Sequence, residues 1–184
     1  MASAVSRPRR ALDLLGGALA IGFLIVMILS GHVRESGQFV RFVAAGVLAE
    51  TPADVDRVEL TAGDRRWVFT RSADGWRLGG SRTVSRSLAT HLDDSVKFMH
   101  ASAPIRVLQR TEWAEQGLHE FGLDRPAYVA ALYRGQRRLL AAGFGSPNPQ
   151  KVLQYMRLEG RDQVYVMSRS IGQEWEQALA ELER

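Results

Sequence analysis

The sequence predicts an α+β protein: a single N-terminal transmembrane helix followed by a duplicated antiparallel domain, each half a β-meander closed by a helix. Three observations predict it. An apolar run, "ALDLLGGALAIGFLIVMILS", covers residues 11–30. Beyond Thr51-Pro52 the hydrophobic period falls to two, with turn residues between the runs. Two later stretches return to helical spacing, each after a set of such runs.

The apolar run is close to the ~20 residues a helix needs to cross hydrocarbon. Arg7, Arg9 and Arg10 precede it, and Arg34 is followed at once by Glu35. The positive-inside rule therefore puts a basic tail, residues 1–10, in the cytoplasm and everything after residue 30 across the membrane. Asp13 lies at the N-terminal end, where a carboxylate stays at headgroup level. Ile28-Leu29-Ser30 is a poor small-x-small cleavage site, so the run reads as an uncleaved anchor.

Of 24 basic and 20 acidic residues, three arginines and one aspartate precede Ser30, leaving 21 against 19 in the remainder. That near-neutral balance argues against a nucleic-acid binder. With no cysteine in the chain, disulfides, thiolate nucleophiles and cysteine zinc sites are excluded.

Residues 31–51 read as a juxtamembrane linker. Within it "QFVRFVAAGVLAE" is too short to span a bilayer, and Phe39, Phe42 and Val47 would share one face if it were helical. Gly46 weakens a helix, so an extended lead into the next domain stands as the alternative. Residues 52–184 form the extracytoplasmic domain, with half-repeats at 52–100 and 126–184. In the first half, Val58 and Leu60, Trp67 and Phe69, and Trp76 and Leu78 alternate around two turns. Val84, Leu88, Leu92, Val96 and Met99 then recur at helical spacing.

The second half repeats the plan: strands flank Arg134-Gly135-Gln136 and Glu159-Gly160-Arg161-Asp162, and a helix presents Ile171, Trp175, Leu179 and Leu182 on one face. Ser170 with Gln173 fits a capping box at its start. "TAGDRRW" and "YRGQRRL" place Arg-Arg at the same point after a turn, as a duplication would.

"GFGSPNPQK", residues 143–151, looks like a phosphate loop but stands between two strands rather than before a helix. Pro147 and Pro149 remove two backbone donors, and Lys151 lacks the Gly-Lys-Ser/Thr setting. The stretch reads as a long rigid hairpin loop. Phe144, Asn148 and Tyr155 make it a candidate interaction surface, together with Phe39, Phe42 and Val47.

Between the halves, Glu112, Glu115, His119 and Glu120 carry the groups a hydrolase would use, but without metal-binding spacing, and Gly117 and Gly122 interrupt a helix. The simpler reading has Thr111 capping a short helix, with the glutamates as solvated charges. His91 reads as solvent-exposed on a polar helix face. No catalytic, metal or cofactor residue is assigned.

"DVDRVEL", "RRWVFTRSADGWRL", "EFGLDRPAYVAAL" and "GFGSPNPQKVLQYMRLEGRDQVYVM" together resemble a bacterial family of membrane-anchored proteins. Its extracytoplasmic domain is a domain of unknown function that also occurs in auxiliary proteins of gliding-motility-type ABC transporters. The likeness runs from Pro52 to Trp175, with its most specific marks at Asp74-Gly75-Trp76, at Phe121-Gly122-Leu123 with Pro126, and at Tyr155 with Val164-Tyr165. It implies an α+β domain on one anchor and brings no catalytic residues.

The expected function is a non-enzymatic accessory or assembly subunit of an envelope complex in the bacterial inner membrane. Its expected partners are the membrane and other envelope membrane proteins, not nucleic acid or a small molecule. The alternatives are a tethered module for envelope glycan or lipid, and a hydrolase using Glu112, Glu115 or His119.

Overall fold

The computed structural model describes residues 17–27 and 44–183, in two units that divide after residue 42. In the first unit, residues 17–27 form a helix, α1, with Leu19, Phe23 and Val26 exposed. Among the described residues no helix is long and apolar enough to cross a membrane. Residues 11–16 and 28–30 of the expected anchor lie outside the described set.

The second unit is α+β, built on one nine-stranded antiparallel sheet. Its strands are β1 (Arg57–Ala62), β2 (Arg65–Ser72), β3 (Gly75–Leu78), β4 (Arg82–Thr83), β5 (Arg106–Leu108), β6 (Tyr128–Arg134), β7 (Arg137–Pro147), β8 (Leu153–Leu158) and β9 (Val164–Ser168). They lie in the order β4-β3-β2-β1-β6-β7-β8-β9-β5. The helices are α2 (Arg86–Ala101), the single turn α3 (Arg110–Trp113) and α4 (Arg169–Leu182), with 3₁₀ turns at Pro52–Asp54 and Leu118–Phe121.

Strand alternation sends Val58, Leu60, Phe69, Trp76, Ala130, Leu132, Ala142, Phe144, Met156 and Met167 to one face. There they meet Leu88, Leu92, Val96 and Met99 of α2 and Ile171, Trp175 and Ala178 of α4 in a single core. Each fully buried large side chain contributes roughly 1.5–3 kcal/mol relative to exposure. Trp76 is fixed by its indole N–H, which donates to Asp93 Oδ1 at 3.0 Å, while Arg71 donates to the same oxygen at 2.8 Å.

Helix α2 starts where Ser85 Oγ accepts from the Leu88 amide at 3.1 Å, a cap worth about 1 kcal/mol. Helix α4 starts two residues earlier than the capping-box expectation. Its N-cap is Ser168 and makes no side-chain cap bond, while Ser170 lies inside the helix with its hydroxyl 2.9 Å from that of Ser168. Arg169 takes over the local anchoring, bonding Gln154 and Glu176.

His91 is not a solvent-facing side chain: its Nδ1 lies 2.9 Å from Glu174 across the α2–α4 contact, and both side chains are largely covered. The arginine pairs split between faces as strand alternation requires. Arg66 donates to Glu59 at 2.6 Å, and Arg65 pairs instead with Glu183 beyond α4. Glu59 is almost buried on the sheet's second face, where Tyr133 also donates to it at 3.0 Å.

The lead-in from residue 44 to Glu50 is irregular, with a bend at Gly46-Val47, rather than helical. The Gly46 amide donates to His100 O and the Leu48 amide to Met99 O, both at 2.9 Å. A Cβ on Gly46 would lie 2.2 Å from Met99 O, so only glycine permits this approach. Val47 consequently packs against the domain's own core. Phe39 and Phe42 lie outside the described residues.

Candidate interaction cleft

On the sheet's second face the segment 109–126 covers the β7–β9 side. Trp113, Phe121, Leu123 and Val164 form a small core there, with Leu108, Leu118 and Tyr155 packed around it. Trp113 is held by its indole N–H, which donates to Asp162 O at 3.0 Å. The turn α3 begins at Gln109, not Thr111. Glu112 accepts from the Gln109 amide at 2.8 Å and from Arg106 at 2.6 Å, while the Gln109 side chain receives the Glu112 amide. The backbone bond, followed by the Arg106 hydrogen bond, holds the Glu112 carboxyl below its ordinary value of 4.5.

The glycines of "GFGS" have a different use from the loop expected. Residues 143–147 belong to β7, and the hairpin loop is only 148–152. Gly143 and Gly145 point to the second face, two residues apart. A Cβ on Gly145 would sit 2.1 Å from Phe121 O, and one on Gly143 would sit 2.9 Å from Pro126 Cγ. Gly122 faces them in turn: at φ +65° its added Cβ would lie 2.4 Å from Ser146 Oγ. Bare backbone on both sides lets the Phe121–Pro126 connection lie flat on β7. The two sequence marks, "FGL…P" and "GFGS", are halves of one packing contact.

Phe144 and Tyr155 do not converge. Phe144 is opposite Met156 in the β7–β8 ladder, so Tyr155, one residue earlier, faces away from it. Phe144 is fully buried and stacks on Tyr128, with ring centroids 4.8 Å apart. Tyr128 in turn donates to Gly172 O at 2.9 Å, and burial, then the Glu176 charge, pushes its phenol pKa well above the ordinary 10.0. Tyr155 meets Phe121 edge-on at 4.9 Å and 78°.

Asn148 is spent on the loop itself. Its Oδ1 accepts from the amides of Val152 at 3.0 Å and Leu153 at 2.9 Å, and its backbone accepts from Lys151 at 2.8 Å. Lys151 sits in the left-handed region at φ 56°, the conformation that closes this short turn. Pro147 and Pro149 flank Asn148.

The result is an open cleft of about 720 Å³ between the hairpin and the 115–121 segment, lined by Glu115, Gln116, Glu120, Phe121, Pro147, Pro149 and Tyr155. Of the residues singled out from sequence, Tyr155, Glu115 and Glu120 come together here. His119 pairs with Glu120 at 3.2 Å on the surface, and Glu112 is consumed by Arg106 and the helix start. Among the described residues no three histidines or carboxylates gather as a metal-binding set. Gln116 and Phe121 carried no sequence signal as lining residues, because their meeting with Pro147 depends on a fold-back across the sheet. No protein-family model, characterised protein or solved structure matches this chain.

Proposed function

We propose that the chain is a membrane-tethered extracytoplasmic interaction module, an accessory or assembly subunit of an envelope complex, with its N-terminus in the cytoplasm. The observation that carries this reading is the cleft between Tyr155 and Glu115. It is a preformed, partly apolar concavity on a rigid support, of the size that receives part of a partner. The apolar run at 11–30, helical over 17–27, supports the tether. The resemblance to membrane-anchored proteins related to transporter auxiliaries supports the same reading.

We also propose a duplicated origin for the domain. From the centre outward the strand order reads β1-β2-β3-β4 on one side and β6-β7-β8-β9 on the other, and each series leads into a helix of the shared core, directly at α4. At the seam Leu60 lies opposite Ala130 and Val58 opposite Leu132. Gly63 and Gly135 close the equivalent first turns at φ 57° and 59°, each followed two residues later by Arg-Arg. The halves differ in two places. The second half has the 148–152 loop where the first turns at Ala73-Asp74, and the 102–126 segment has no counterpart. Both departures border the cleft, which is where a repeated scaffold would acquire a function.

The test is purification of the full-length chain from its native membrane in mild detergent, alongside Tyr155→Ala. A defined set of membrane proteins is expected with the unaltered chain and a depleted set with the variant. The same set with both, or none with either, would contradict the proposal. One observation favours a second reading, envelope glycan: the Phe121–Tyr155 pair beside Glu115, Gln116 and Glu120 offers an aromatic surface next to hydrogen-bonding groups.

A further inference from the structure

Resting on the interaction reading, we infer that the cleft receives a cationic side chain, arginine or lysine, carried on an extended segment of a partner protein. The charge of the lining is the first ground. It holds Glu115 and Glu120 and no lysine or arginine. Elsewhere in the domain several carboxylates have arginine partners: Arg137 with Glu50, Arg66 with Glu59, Arg71 with Asp93, Arg138 with Glu159, and Arg169 with Glu176. Glu112, one turn before Glu115, already has Arg106. Among the described residues Glu115 is paired with no cation, so it leaves negative potential at the cleft mouth that a positive group from outside would complement.

The walls are the second ground. Tyr155, Phe121, Pro147 and Pro149 line the same cleft with apolar surface. An arginine or lysine stem buries methylene groups along such a surface while its charged head stays at the rim, and a guanidinium gains from an aromatic face. A neutral or acidic segment would cover the same walls and leave Glu115 without a cation, with Glu120 answered only by His119. The third ground is shape: the cleft is open and exceeds what one side chain fills, so flanking backbone can lie along it.

The experiment measures anisotropy of three fluorescein-labelled peptides of alternating glycine and arginine, citrulline or glutamate. The titrant is the full-length chain in a polyoxyethylene detergent. Citrulline keeps the arginine shape without its charge. The arginine peptide is expected to bind about ten-fold tighter than the citrulline peptide at low salt, with the difference shrinking as salt rises. The double variant Glu115→Gln/Glu120→Gln is expected to erase that difference. Both positions are exposed, and an unchanged unfolding temperature would show the fold intact.

Equal binding of arginine and citrulline peptides, or a preference that survives the double variant, would overturn the inference. So would absence of peptide binding, including the case where chitotriose binds instead. If the peptides fail while Tyr155→Ala still depletes the co-purifying membrane proteins, the interaction reading stands and only the cationic ligand is wrong. If co-purification also fails, both fall.

Discussion

Gly172, in the first turn of α4, lies so close to Gln154 of β8 that a Cβ added to it would fall 1.7 Å from the Gln154 side-chain oxygen. The Tyr128 hydroxyl would be 3.0 Å away. Gln154 has little freedom to yield, since its amide nitrogen donates to Gly145 O at 3.0 Å and its oxygen accepts from Arg169 at 2.9 Å. One buried polar cluster thus joins α4, β6, β7 and β8, and its far side is the strand backbone on which the cleft segment rests.

Gly172→Ala is therefore expected to destabilise the domain by roughly 1–3 kcal/mol through overpacking, despite alanine's better helix propensity. Urea unfolding of the full-length chain checks it. An unchanged or raised midpoint would mean that the helix start shifts without cost.

Asn148→Ala removes the acceptor for two loop amides. A cost of about 1 kcal/mol is expected, confined to the hairpin. Hydrogen exchange at the Val152 and Leu153 amides should quicken by roughly five-fold while the α2 core keeps its protection. Cleft binding should weaken too, because Pro147 and Pro149 would have to be ordered on contact. Unchanged exchange at both amides would show that the loop is held by something other than Asn148.

Glu112→Gln tests the charge in the turn before the cleft. The folded carboxyl titrates below 4.5 because of the Gln109 amide and Arg106, so its stabilising effect is present above 4.5 and is lost as pH falls through the depressed value. The unaltered chain should be the more stable near neutral pH, and the two should converge in acid. Unfolding curves at a series of pH values measure this. A difference independent of pH would assign the effect to side-chain geometry rather than charge.

Apart from the short β4 and β5, the strands and the two long helices are legible in the sequence because their signals are local. Val58 and Leu60 alternate, Leu88 to Met99 follow a helical period, and Gly63 and Gly135 stand at turns. The nine-strand order was not legible, since the β1–β6 pairing joins residues far apart in the chain. The use of Gly143 and Gly145 was read wrongly for a physical reason. Glycine in a loop and glycine under a crossing segment look alike until the Phe121–Pro126 connection is placed above them. Both helix starts lie two residues before the expected caps, at Gln109 and at Ser168, because neighbouring polar residues offer competing caps. Tyr155, expected to converge with Phe144 at the hairpin, has Phe121 as its ring partner instead.

The central claim, that the cleft is the surface this chain offers to a partner, is tested most directly by site-specific photo-crosslinking in the native membrane. p-Benzoylphenylalanine would replace Gln116 in the cleft and, separately, Arg82 on the exposed edge strand β4, away from it. The account predicts discrete protein adducts from position 116, competed by the arginine peptide, and none of the same size from position 82. Adducts of equal yield from both positions, or from position 82 alone, would contradict it.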